Sequence, residues 1–164
     1  MTRLRPWLLV LLLISSCGVL AADAQALKDL DGKQHLLSEY AGQGRWLVVN
    51  VWSPACPFCR RELPDLGEFH DAHRGKDASV LGVTIDFPSY GYPDPGVVRA
   101  FATDYFVEFP LLLADAKLAS RFVGQPVSAI PVSFIYRPDG SFAGRWNGVI
   151  TRTELERIIT TPRP

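Results

Sequence analysis

The stretch that most constrains this chain is residues 46–66, WLVVNVW-SPA-CPFC-RRELPDL. The first seven of these are almost entirely β-branched, aliphatic or aromatic, which predicts a buried strand. Ser53, Pro54 and Ala55 make a short turn, and from Cys56 onward the pattern changes period. Leu63, Leu66 and Phe69 fall at helical spacing, so a helix is expected over about 56–73 with those three on its inner face. A strand that turns sharply into a helix is the first half of a crossover unit, and such units build parallel sheet.

The flanking segments fit that start. Residues 27–40 read as a small hairpin-like entry around Asp31-Gly32, with a short turn toward Gly42. Residues 79–86, SVLGVTID, form a second buried strand, and 87–93 a loop rich in Pro, Gly and Tyr. Asp94-Pro95 is an N-cap followed by proline at the first helical position. Val97, Val98, Phe101, Ala102 and Tyr105 then recur as one helix face. A shorter helix near 116–122 follows Asp115. Residues 132–136 are a strand, Pro138-Asp139-Gly140 a tight turn, and 142–146 its antiparallel partner. Thr151 and Glu154 make a capping box for a last helix reaching about Ile159. The order predicts one mixed sheet with helices on both faces.

Composition removes several function classes. The 164 residues suit one domain, and Lys+Arg and Asp+Glu balance at 17 each, so no basic field marks a nucleic-acid partner. Three cysteines are too few to staple a scaffold of this size. Cys56 and Cys59 are two residues apart, and a ring that small adds little stability by loop entropy. Chemistry is the better reason for the pair. A helix N-terminus offers unpaired N–H groups and partial positive charge, which favour thiolate over thiol and can bring a cysteine pKa from ~8.5 to between ~3.5 and ~7.5. Pro57 costs nothing there, because its missing N–H would be unpaired anyway. Cys59, one turn in, is expected to be the more buried, resolving thiol. A structural zinc site needs four Cys or His ligands, and no second cysteine pair exists. His70 and His73 lie too far along the helix to share an ion with the cysteines and are expected on a partly solvated face; His35 has no partner readable from sequence. The residues require neither a metal nor another cofactor.

The first 26 residues read as an address and tether, leaving 27–164 as the domain. Arg3 and Arg5 precede an unbroken apolar run, followed by small residues. Three fates stay open. Ile14-Ser15-Ser16-Cys17 has the form of a lipoprotein box, with lipidation at Cys17. Ala22-Asp23-Ala24 offers a cleavage site. The uncharged run itself, slightly short of the usual ~20-residue span, offers an uncleaved anchor. All three place the domain outside the cytoplasm.

Asn50-Val51-Trp52-Ser53-Pro54-Ala55-Cys56-Pro57-Phe58-Cys59, followed by Glu62-Leu63-Pro64, resembles the TlpA/ResA-like branch of the thioredoxin superfamily. The likeness runs through most of the chain from Leu27: Asp31-Gly32 and 36–42 match the entry segment, Ile130-Pro131 the cis-proline ahead of a strand, Asp139-Gly140 the hairpin and Gly148 the glycine after it. The resemblance implies a thioredoxin-like α/β fold, a central mixed sheet flanked by helices with a short N-terminal β extension and a central insertion. It implies a membrane-tethered thiol–disulfide oxidoreductase whose redox-active disulfide is Cys56–Cys59, with Cys56 attacking and Cys59 resolving. Glu62 falls on the family's acidic position and would tune the cysteines and carry protons. Pro131 would be cis, Ile130 would offer its backbone to an extended substrate, and Trp52 joins them in the implied substrate-binding set. Two departures stand out. Ala55 replaces the Trp usual before the first cysteine, removing an aromatic wall. Asn50 replaces the buried Asp of ordinary thioredoxins, which gives Glu62 more weight.

The implied partners are client protein thiols and disulfides, a membrane or periplasmic electron donor, and the membrane itself through an N-terminal lipid or anchor. The favoured function is reduction of exported disulfides, such as those of apocytochrome c or a metallochaperone. A dithiol oxidase or isomerase stays open. So do a peroxiredoxin, for which Ser53 lies at the right offset but Val49 replaces a wanted proline, and a copper chaperone of the same fold, which would need a late histidine that this chain lacks. Tyr90 and Tyr92 offer a groove-lining loop, with an ordinary surface loop as the plainer reading.

Overall fold

The computed structural model describes residues 25–161; residues 1–24, with Cys17 and nearly all of the expected address segment, lie outside them. Eleven regular elements follow in order: β1 (Leu27–Asp29), β2 (Gln34–His35), β3 (Trp46–Trp52), α1 (Pro57–His73), β4 (Ala78–Thr84), α2 (Pro95–Asp104), β5 (Leu111–Leu113), α3 (Ala116–Val123), β6 (Val132–Tyr136), β7 (Phe142–Asn147) and α4 (Arg152–Thr160). The strands form one sheet in the order β2-β1-β5-β4-β3-β6-β7. β3–β4 and β4–β5 are parallel, while β1–β2, β1–β5, β3–β6 and β6–β7 are antiparallel. This is the expected mixed sheet of a thioredoxin-like fold.

β3 is central and buried along six of its seven residues. Its alternation divides the interior. Leu47, Val49 and Val51 join Leu81, Val83 and Phe134 under α3, whose Ala119, Phe122 and Val123 cover that face. Val48 and Trp52 point the other way, into a second core with Leu63, Leu66 and Phe69 of α1, Val98 of α2 and Leu155 of α4. Asn50 lies on this second side, the only amide in the run.

The local signals hold where a side chain and a backbone group meet over a few residues. Asp94 accepts from the N–H groups of Gly96 and Val97 at 2.7 and 3.0 Å, and Asp115 from Leu118 at 2.7 Å. Thr151 and Glu154 make the reciprocal box, with Glu154 Oε2 accepting from the Thr151 N–H at 2.8 Å.

The structure corrects other expectations. β5 was not legible, because three leucines between a proline and an alanine are too short to display a period; they pair because β4 and β1 flank them. The predicted α2 face is narrower than five residues: Val98 is buried, Phe101 and Ala102 are half-buried, and Val97 and Tyr105 are exposed. Phe101 lies against Trp52 with ring centroids 5.5 Å apart and stacks Tyr105 on its outer side at 4.1 Å. His35 does have partners, Glu39 at 2.9 Å and Asp29 at 3.0 Å, and so locks the entry hairpin to the turn that follows.

His70 is the clearest reversal. It is buried rather than partly solvated, and its Nδ1 accepts the Val80 N–H at 3.0 Å, fastening α1 to β4. Burial lowers its pKa, the nearby Arg74 adding to this, so the ring that accepts this bond is neutral. His73 stays near the surface and bonds Asp77 at 2.8 Å. A His70→Leu substitution leaves the Val80 N–H buried without a partner, and should cost about 1–3 kcal/mol in urea denaturation at pH 8. The wild type itself should lose stability as pH falls below the ordinary histidine value of ~6.5, because the unfolded chain then takes up a proton that the folded ring resists. The variant's pH profile should lack that component.

Candidate active site

β3 ends at Trp52 and the chain reverses through Ser53, Pro54 and Ala55. The turn is closed by the Cys56 N–H donating to the Ser53 carbonyl at 3.1 Å. Ser53 is buried, and its hydroxyl accepts the Ala55 N–H at 3.3 Å. Cys56 is then the N-cap of α1, in extended conformation (φ −87°, ψ 113°), with Pro57 at the first helical position. Its Sγ accepts the Cys59 N–H at 3.2 Å. The sulfur therefore holds the place an N-cap oxygen usually takes, facing the amide end of the helix dipole.

Cys56 and Cys59 are joined as a disulfide with Cα atoms 5.3 Å apart. The expected contrast in burial is slight in this oxidised form, at 2% and 0% exposure. What distinguishes the two is position: Cys56 stands at the cap, Cys59 one turn inside. Around them the surface is apolar and basic. Phe58 is 58% exposed, and the Arg61 guanidinium lies 4.7 Å from the centre of its ring. Arg60 and Arg61 are themselves exposed, as their sequence position suggested.

Glu62 follows Cys59 by three residues, on the same face of α1 one turn on. It is 0% exposed, which excludes a solvated helix carboxylate. Its two oxygens are separately engaged. Oε1 accepts from Asn50 Nδ2 at 2.8 Å, and Oε2 from the backbone N–H of Ile150 at 2.9 Å. Burial pushes its pKa up to about 7; the bonds from Ile150 and Asn50 pull it back, and Asp65, a turn farther along α1, adds to the rise. A carboxyl poised there exchanges its proton near neutrality, the property a general acid–base needs. Asn50 Nδ2 also donates to Ser133 Oγ at 3.0 Å. The NH₂ group of Asn50 is thus shared between Glu62 and Ser133. Sequence reasoning missed Ser133 and Ile150. An inward polar residue on β6 was the available signal, but its partner follows only from the β3–β6 register, which sets Asn50 opposite Ser133.

The Ile130–Pro131 peptide is cis. Pro131 is buried, and Ile130 is half-buried between the two cores. Their place beside the cysteine turn comes from the same register, which pairs Val132 with Val51 near the end of β3. Trp52 is the member of the expected substrate set that the structure removes. It is 0% exposed, inward-facing on β3 and packed on Phe101, so it offers a client no surface. Its role is to support the floor beneath the cysteine turn.

Glu62 gives a test with a defined sign. In the oxidised protein a carboxyl raised to about 7 stabilises the fold fully below the unfolded-state value of ~4.3 and loses that contribution as pH rises through 7. Wild-type stability relative to Glu62→Gln should therefore fall between pH 5 and pH 8. Over the same range the variant's thiol–disulfide exchange should slow by roughly ten- to a hundredfold, the low end of a general acid–base contribution or less. It should also lose the inflection near neutrality. Thermal melts and stopped-flow exchange across pH measure both.

The comparisons agree with this geometry. The model of the AhpC/TSA family matches residues 18–143. The thiol–disulfide oxidoreductase ResA of Geobacillus kaustophilus is 28% identical over 140 residues, covering 84% of this chain and 74% of that protein. Among solved structures, a secreted Mycobacterium tuberculosis disulfide oxidoreductase described as homologous to E. coli DsbE superposes with a TM-score of 0.66 at 23% identity, covering 83% of this chain and 94% of that one. The exposed lipoprotein thioredoxin Etrx1 of Streptococcus pneumoniae superposes with a TM-score of 0.65 at 21% identity, covering 82% and 96%. With a disulfide at the start of α1 and a buried carboxyl one turn behind it, the chain belongs to the AhpC/TSA family and is a thiol–disulfide oxidoreductase similar to ResA.

Proposed function

We propose that this oxidoreductase works outside the cytoplasm, tethered to the membrane at Cys17, as a reductase of disulfides in exported proteins. Apocytochrome c and metallochaperones are the client classes in view. The observation that carries the reading is Glu62, a buried carboxyl one turn beyond Cys59 that holds or gives up a proton near pH 7.

The reaction balances with the residues at hand. The Cys56 thiolate attacks one sulfur of a client disulfide; the client S–S bond breaks, a Cys56–client bond forms, and the departing client thiolate takes up a proton. Glu62 as carboxylate then accepts the proton of the Cys59 thiol. The Cys59 sulfur attacks Cys56 Sγ, and the second client thiolate leaves with the proton that Glu62 returns. Two electrons pass to the client, and the pair ends as the Cys56–Cys59 disulfide. The backbone of Ile130 and the cis-proline Pro131 would hold the extended client segment during the attack.

The direction follows from charge. A strongly oxidising pair needs its reduced form stabilised, as when the attacking thiol is very acidic. A nearby carboxylate opposes such acidity. Arg60 and Arg61 act the other way, but both are exposed and screened. The reduced pair should therefore give up electrons readily and be recharged by a dedicated donor. Equilibration with glutathione buffers should return a potential below roughly −200 mV; a value near about −120 mV, that of a strong periplasmic oxidant, would overturn the reductase reading and promote the oxidase.

The tether rests on Ile14-Ser15-Ser16-Cys17 after an apolar run. Leu27 lies ten positions after Cys17, about 35 Å at full extension, so clients would be met close to the membrane surface. Intact-mass measurement of the protein from membranes should find a chain beginning at a diacylated Cys17. A mature chain beginning beyond Cys17 would refute it.

A further inference from the structure

On the far side of the cysteine turn from Glu62, the wall next to Cys56 is open. Ala55 is exposed and carries only a methyl group where the surface meets the N-terminus of α2. Between them lies a groove of about 110 Å³, whose lining includes Pro54, Ala55, Ile85, Asp86, Pro93 and Val97. Its volume is well under the ~300 Å³ at which small-molecule sites begin, so it has room for one side chain. Its accessible apolar surface comes from half-buried Pro54, exposed Ala55 and Val97, which is 60% exposed and forms a lip, while Ile85 and Pro93 are buried behind them.

The charge at the groove is of one sign. Asp94 also lines it, but its carboxylate caps α2 through two backbone N–H groups, which offsets its field. Asp86 is different. Its carboxylate accepts the Ser89 hydroxyl and makes no ion pair with a cation among the described residues. Arg60 and Arg61 stand on α1, beyond the cysteines and away from these lining residues. An apolar trough ending in an unneutralised carboxylate fits a long side chain with an aliphatic stem and a cationic head, which buries its methylenes and keeps its charge at the rim.

We infer that the groove beside Ala55 receives a lysine or arginine of the client polypeptide adjacent to its reactive cysteine. The stem lies along Pro54, Ala55 and Val97, and the head reaches Asp86. This rests on the reading that Cys56 exchanges with client polypeptides, and it names a feature of the clients: a basic residue flanking the cysteine. It holds for electron flow in either direction, since the same mixed disulfide with Cys56 forms both ways.

The test uses cyclic disulfide peptides, identical except for Lys, norleucine or Glu directly before or after the reactive cysteine. They are reacted with the reduced protein, and as dithiols with the oxidised protein. In one of the two placements the Lys peptide should react about fivefold faster than the Glu peptide, the scale of a partly exposed ion pair, with norleucine between them. The ratio should shrink in 0.5 M salt. Rate ratios within each variant cancel changes in intrinsic thiol reactivity. Asp86→Asn should equalise Lys and norleucine, and Ala55→Trp, which fills the groove, should bring Lys, norleucine and Glu together. Equal rates for Lys and Glu in the wild type, or a preference that survives both substitutions, would overturn the inference while leaving the oxidoreductase reading standing. Failure to exchange with any peptide in either direction would overturn both.

Discussion

The structure hangs on strand β3. It is hydrogen-bonded on one side to β4 in parallel and on the other to β6 in antiparallel register, and its two faces feed two cores. A strand held on all four sides cannot slip, because a one-residue shift would turn Asn50 into one core and carry an apolar residue away from the other. Everything reactive is placed by that constraint. The strand's end sets the cysteine turn, its pairing with β6 brings the cis-proline segment alongside, and its single inward amide meets Glu62.

Glu62 is then a balance between desolvation and hydrogen bonding. Burial alone would hold the carboxyl protonated, while the two donors, Asn50 Nδ2 and the Ile150 N–H, stabilise the carboxylate. Neither prevails, and the proton is poised where the compartment's pH can move it. The ordinary thioredoxin arrangement puts an acid on the strand; here the strand supplies a neutral amide and the helix supplies the acid. The acid thereby sits one turn behind the cysteine it would serve. The amide in turn donates to Ser133 on β6. The open wall at Ala55 is the complementary feature. Chemistry is concentrated on the α1 side of the disulfide, and the α2 side is left free for recognition.

Legibility in the sequence followed the range of each interaction. The caps at Asp94, Asp115 and Thr151 were readable because donor and acceptor lie within three residues. The helix at Cys56 was readable from Pro57 and the spacing of Leu63, Leu66 and Phe69. The cis state of Pro131 was expected from family resemblance alone, since an isolated Ile-Pro bond is usually trans. β5 was missed for lack of length. His70 was misplaced because a histidine on the flank of an amphipathic helix gives no sign that a strand amide, ten residues on, will need an acceptor. Trp52 carried a family role that its inward register cannot support.

What the sequence determined by itself is the reactive unit: a strand, a three-residue turn and a helix capped by a cysteine, with the second thiol and an acid following at helical spacing. Helical periodicity and the unpaired amides of a helix N-terminus are local properties, written wherever those residues occur in that order. Only the tertiary structure decided what the acid would do. Whether Glu62 is solvated or buried, and which donors meet its oxygens, depends on Asn50, Ser133 and Ile150, which lie 12 residues before it and 71 and 88 residues after it. Proton affinity is set by water removed and partners gained, and both are fixed by packing between distant segments.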